Sequence, residues 1–215
     1  MFKVLIAVPT FENITPDTFK ALWDMGGKND FVNIFEFVRG YDCATARNKI
    51  AKLALNYGVD YVLMVDSDVT VPCNALVNLM AHDVDVCSGF YMHRNSSTNA
   101  VSERTSICKL EKPDGGYYFG YPAESQWTIA ELREKREAGE HLIEIHGGGM
   151  GCILIRTSVF DRVPYPWFKW IDYGNGEMLS EDLFFCESCR NEGIPIYADT
   201  RVACGHMLRR IEQVY

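Results

Sequence analysis

The chain opens on a run of apolar positions, Val4-Leu5-Ile6-Ala7-Val8, closed by Pro9. A continuous apolar run bounded by a breaker predicts a strand covered on both faces. Residues 15–25 follow helical spacing, and Gly26-Gly27 predicts the stop. Phe31 to Val38 alternates, the period of a strand. In "CATARNKIAKLALNYG", Ala46, Ile50, Leu53, Ala54 and Tyr57 share one helical stripe ahead of Gly58. Tyr61 to Val65 is wholly apolar again. Pro72 predicts the opening of a helix to about Ala81, and Val84 to Tyr91 predicts the next strand. This alternation predicts an α/β fold, a mostly parallel sheet flanked by helices.

The pattern then changes. From about Asn95 to Gln126 polar and turn-forming residues dominate, which predicts hairpins or loops over the sheet edge. "TIAELREKREAGE" predicts a helix whose charges form a solvated face. "HLIEIHGGGMGCILIR" predicts two strands around a glycine-rich break. "SEDLFFCESCRNEG" predicts a helix capped by Ser180 and stopped by Gly193. "IPIYAD" and "RVACGHM" predict two closing strands. No repeat or linker divides the 215 residues, so a single domain over 1–215 is expected.

Composition narrows the partners. The formal charge of −8 offers no general attraction to nucleic acid or anionic membranes. No apolar run reaches the length of a membrane span, and the first is too short for a signal-peptide core. Eight cysteines then read as mostly buried thiols in a reducing, cytoplasmic compartment. Cys186-x-x-Cys189 has no second metal-binding pair and reads as helix packing.

The chemistry concentrates at "DYVLMVDSDVTVP". An apolar strand ends on Asp66 and Asp68, one residue apart. Residues i and i+2 of extended chain point the same way. Both carboxylates can converge beyond the strand's carboxyl end, where open α/β sheets bind ligands. They repel unless a cation joins them, and a hard divalent ion, Mn²⁺ or Mg²⁺, suits oxygen ligands. Two other readings compete. Asp68 could merely cap the helix near Pro72. "DSDVT" also fits the D-x-D-x-T of aspartate-nucleophile phosphatases, but it follows the third strand rather than the first.

Taken in order, "AVPT", "ARN", "VDSD", "GFYMHR", "GGGMGCILIRTSVFDRVPYPWF", "SEDLFFCESCRNEGIPIYAD" and "GHM" resemble nucleotide-sugar-dependent glycosyltransferases of the GT-A fold, in the family-two-like group. The resemblance covers most of the chain and is weakest from about Asn95 to Glu140. It implies a nucleotide-binding half, about 1–94, and an acceptor and catalytic half, about 95–215. It implies that Pro9 and Thr10 lie under the base and that Asp68 binds the metal. Asp66 and the adjoining Ser67 would meet the ribose or the metal, and His206 would be a third metal ligand. Arg47 would face the diphosphate, as a guanidinium fork suits phosphate. Arg94 would touch phosphate or sugar.

Asp182 would be the general base of an inverting transfer, and Glu181 would bind the donor sugar, although both also suit the first turn of any helix. Gly149 would line the donor and acceptor pocket. Trp167, Phe168 and Trp170 suit either a sugar platform or a core. The implied donor is a nucleotide diphosphate sugar, with UDP favoured. The acceptor is open, and a nucleic acid stays open only in that role. A non-catalytic nucleotide-sugar or glycan-binding module on the same fold is the alternative.

Overall fold

A computed structural model describes residues 1–27, 29–94, 101–110, 123–174, 176 and 178–207. The elements run β1 (Lys3–Thr10), α1 (Pro16–Gly26), β2 (Val32–Arg39), α2 (Cys43–Tyr57), β3 (Tyr61–Val65), β4 (Val69–Thr70), α3 (Ala75–Met80) and β5 (Val86–Phe90). They continue with β6 (Met92–Arg94), β7 (Val101–Cys108), β8 (Gln126–Thr128), α4 (Ile129–Glu137), β9 (Leu142–Ile145), β10 (Gly147–Gly148) and β11 (Cys152–Arg156). The chain closes with α5 (Val159–Arg162), β12 (Ile171–Asp172), β13 (Met178–Leu179), α6 (Glu181–Asn191), β14 (Ile196–Ala203) and β15 (Gly205–His206).

The main sheet has the order β2-β1-β3-β11-β5-β14-β9. β2, β1 and β3 are parallel, and β5 is parallel to β14. β11 inserts antiparallel between β3 and β5, so strands from early and late in the chain share one sheet. A smaller sheet has the order β10-β7-β6, with β8 on β7.

The period of two along β1 feeds two cores. Leu5 and Ala7 join Ile50 and Ala54 of α2 and Phe185 of α6 on one face. Val4, Ile6 and Val8 join Leu22 of α1 and Leu76 of α3 on the other. Each buried large aliphatic side chain contributes about 1.5–3 kcal/mol. Helix α2, which carries Arg47, is fixed at both ends. Asp42 accepts from the Thr45 N–H at 3.0 Å, and Gly58 closes the helix at φ +59°. There a left-handed residue costs glycine little.

Three expectations are corrected. Helix α3 begins at Ala75 rather than at Pro72, because the Pro72 carbonyl first closes a turn with the Ala75 N–H. The two closing strands are one, β14. Its polar interior, Asp199-Thr200-Arg201, reads as a break, yet tertiary partners satisfy it: His82 and Arg201 bind Asp199, and the Glu140 carbonyl takes the Thr200 hydroxyl. Ser180 occupies the N-cap of α6 but makes no capping bond. Its hydroxyl turns to Asp182 instead. Cys186 and Cys189 are both buried, and burial pushes the Cys186 thiol up to about 12. Among the described residues no helix is long and apolar enough to cross a membrane.

Candidate active site at the carboxyl end of the sheet

Because β1 and β3 are parallel, with Ala7 opposite Met64, their carboxyl ends reach the same edge. There the backbone of the acidic motif is pinned residue by residue. The Asp66 N–H donates to the Gly151 carbonyl at 3.1 Å. The Ser67 carbonyl accepts from Thr15 at 3.0 Å, and the Asp68 carbonyl accepts from Met207 at 2.8 Å. With the backbone satisfied, the motif's direction is set and its carboxylates are left for other work.

A cavity of about 540 Å³ opens beside it. Pro9, Thr10, Asp66, Ser67, Asp68 and His206 line it, as do Phe11, Tyr41, Asp42, Cys43 and Trp170. His206 arrives because β15 pairs with β4, placing it opposite Val69. Gly205 permits that approach, since a Cβ there would lie 2.4 Å from the Thr70 hydroxyl oxygen. The His206 Nε2 stands 3.8 Å from Asp68 Oδ2, and its Nδ1 lies 3.4 Å from the Met92 carbonyl. A carbonyl only accepts, so Nδ1 carries the proton in that contact. The ring's Nε2 faces the Asp68 carboxylate. The gap between them is one that a single ion with bonds of about 2.1 Å can bridge. This donor set fits Mn²⁺ or Mg²⁺.

Behind the cavity wall lies an ion cluster. Arg47, 3% exposed, donates from one terminal nitrogen to Asp66 Oδ1 at 2.8 Å. The other terminal nitrogen donates to Glu181 Oε1. Burial alone would lower the Arg47 pKa, but the Asp66 and Glu181 carboxylates raise it and hold the guanidinium charged. Burial raises the pKa of Asp66 against the opposing pull of Arg47, and Asp68 and Asp182 raise it further. Glu181 is raised in the same way, by burial first, with Arg47 opposing and Asp182 adding.

Asp182 sits one residue into α6. Its Oδ1 accepts from the Ser180 hydroxyl and from the Leu183 N–H. Its Oδ2 points towards Gly149, whose added Cβ would lie 3.6 Å away. Tyr91 fills the space between. It packs edge-on to His206 with ring centroids 5.0 Å apart. Burial, then Asp66 and Asp182, push its phenol well up, so it stays a neutral hydroxyl.

The sequence-predicted residues therefore separate. Pro9, Thr10, Asp66, Ser67, Asp68 and His206 meet at the cavity. Asp182 and Gly149 lie beside each other, with Tyr91 against Gly149, and do not line it. Arg47, expected against a diphosphate, is turned onto two carboxylates. Glu181, expected on a sugar, is buried behind the wall. Arg94 ends β6, and its side chain lies outside the described residues. Trp167 and Phe168 are core, while Trp170 lines the cavity. Among the described residues no three His, Cys, Asp or Glu side chains form a metal site by themselves. Phe11, Tyr41, Asp42 and Cys43 escaped the sequence reading. Their signal was position, since all four follow the carboxyl ends of β1 and β2.

No family model matches the chain, and no curated protein matches its sequence. Solved structures do match. A197 from STIV gives a TM-score of 0.59 at 16% identity, over 96% of this chain and 86% of that one. GalNAc-T7, crystallised with UDP, GalNAc and Mn²⁺, gives 0.57 at 12% identity, over 98% and 45%. TarS 1–349 of S. aureus, in complex with UDP-GlcNAc, gives 0.50 at 15% identity, over 99% and 61%. The fold is GT-A. The chain spans less than two thirds of these two glycosyltransferase structures.

Proposed function

We propose that the protein is a metal-dependent glycosyltransferase. It moves a sugar from a nucleotide diphosphate donor, UDP-sugar above others, to an acceptor hydroxyl with inversion. The observation that carries this reading is the facing pair of Asp68 and His206 in the wall of a cavity at the carboxyl ends of β1 and β3. The local charge supports it. Asp66, Glu181 and Asp182 act on the Arg47 guanidinium, and Asp68 adds its charge beside Asp66. Such a site repels a diphosphate unless a cation accompanies it. A divalent ion would act as a Lewis acid on the departing diphosphate.

This chain's own residues do the rest. Asp68 and His206 hold the ion. Pro9 and Thr10 carry the base, and Asp66 offers its second oxygen to the ribose. Asp182 takes the proton of the acceptor hydroxyl. The Ser180 hydroxyl and the Leu183 N–H fix its Oδ1, which leaves Oδ2 turned towards Gly149 to act as base.

The test is a thermal-shift panel of UDP, GDP, CDP and their sugars with Mn²⁺, Mg²⁺ or EDTA. One nucleotide should raise the melting temperature with metal, and the rise should vanish in EDTA and in Asp68→Ala. A shift indifferent to both would overturn the metal assignment. Asp182→Asn should keep the shift and stop donor consumption. A wild-type protein that binds donor and never consumes it would instead be a binding module.

A further inference from the structure

We infer that Arg47 is a positioning residue that withholds Asp66 from the metal, so that divalent-ion binding depends on the donor's diphosphate. The inference rests on the donor reading above and adds a coupling to it. Arg47 reaches across three elements. It leaves α2 and grips Asp66 at the end of β3 and Glu181 at the start of α6. The guanidinium and its Glu181 partner are under cover, Arg47 at 3% and Glu181 at 4% exposed, while Asp66 reaches the cavity wall. A carboxylate oxygen bonded to a buried guanidinium has given up much of its pull on a second cation.

The alternative, in which Arg47 swings out to grip the diphosphate, strands Glu181 without a counter-ion in the interior. Breaking a buried pair by removing one partner is strongly unfavourable. Arg47 therefore stays where it is when ligand arrives. Its charge reaches the donor only through Asp66, whose second oxygen remains at the cavity wall.

Among the described residues, what then faces a metal is Asp68 with His206, 3.8 Å apart. Two protein ligands are few for a hard divalent ion, which takes about six. Consistently, no three-ligand group exists among the described residues. The diphosphate supplies the missing oxygens. Metal and nucleotide must then tighten each other by the same factor, because binding linkage is reciprocal. Arg47 sets the size of that factor by keeping a third carboxylate out of the ligand set.

The test reads binding, not turnover. Mn²⁺ is titrated by calorimetry, and free Mn²⁺ is followed by electron paramagnetic resonance. Both are done with and without UDP, with GDP and CDP in parallel. In the wild-type protein Mn²⁺ alone should bind weakly, and the nucleotide should tighten it about tenfold or more. The double variant Arg47→Met with Glu181→Gln removes the guanidinium and the carboxylate it would strand. It should bind Mn²⁺ alone about tenfold more tightly than wild type, with the nucleotide effect largely lost. Arg47→Lys, which cannot bond both carboxylates through a fork, should move the same way by less. It serves if the double variant does not fold.

Unchanged Mn²⁺ affinity and unchanged coupling in these variants would overturn the role of Arg47 and leave the donor reading intact. So would tight Mn²⁺ binding by the wild-type protein without nucleotide. Loss of nucleotide binding at unchanged Mn²⁺ affinity would assign Arg47 to the diphosphate itself. A wild-type protein that binds no nucleotide with any metal would overturn the donor reading, and this inference with it.

Discussion

Gly149 shows how much one hydrogen atom decides at this site. A Cβ there would lie 2.3 Å from the Tyr91 hydroxyl oxygen and 3.3 Å from Tyr91 Cζ. At Gly151 it would lie 2.6 Å from Tyr91 Cε1. The glycine run is thus a seat for Tyr91, whose ring in turn backs His206. From sequence the run reads as room for a ligand, because nothing local links it to Tyr91. Gly149→Ala should cost about 1–3 kcal/mol in chemical denaturation, the range for overpacking. Tyr91→Phe removes the nearest obstacle but leaves Cζ, so the double variant should recover part of that loss. Strictly additive costs would mean that Tyr91 is not the obstacle. The same blindness applied to Arg47: its place near the inward stripe of α2 was legible, but its two carboxylate partners were not.

At the scale of elements, hydrophobic periodicity located most helices and strands. The stripe through Ala46, Ile50 and Ala54 is buried as the spacing required. What periodicity does not carry is how elements are tied. Asn48, in the "ARN" segment, shows this. Its Nδ2 donates to the Ala44 and Phe168 carbonyls at 2.8 and 2.7 Å. Its Oδ1 accepts from the Trp167 and Phe168 N–H groups at 3.1 and 3.3 Å. One amide therefore fastens α2, and Arg47 with it, to the aromatic segment Trp167–Phe168, which joins the core of Ile50 and Phe185. Asn48→Ala should destabilise the protein by about 1–3 kcal/mol, the cost of orphaned backbone groups. Asn48→Asp, which keeps the acceptor and loses the donors, should fall between. An Asn48→Asp variant as stable as wild type would mean that the donor bonds carry nothing.

At the scale of the molecule, stability against acid depends on partners joined across the chain. Asp199 is fully buried in β14. Burial pushes its pKa up, but hydrogen bonds from Arg201 and His82 outweigh that and hold it below its usual value. The unfolded chain therefore takes up this proton first. The stability Asp199 contributes is present above its ordinary pKa of about 3.9 and is lost as the pH falls through the lower native value. The stability gap between wild type and Asp199→Asn should stay constant above about pH 5 and narrow as the pH falls below about 4 in urea titrations. A gap that stays constant would place the Asp199 contribution outside its charge.

The sequence by itself determined the alternation of strand and helix, the strand end that presents Asp66 and Asp68, and the helix start that presents Asp182. These rest on local periodicity and on the rule that strand termini face ligands, both of which are written in neighbouring residues. Only the tertiary structure decided that β14 is one strand, that His206 meets Asp68, that Tyr91 fills the glycine seat, and that Arg47 binds carboxylates instead of pointing outward. Each of these is a pairing between residues far apart along the chain, and such pairings form only when the folded sheet brings their elements together.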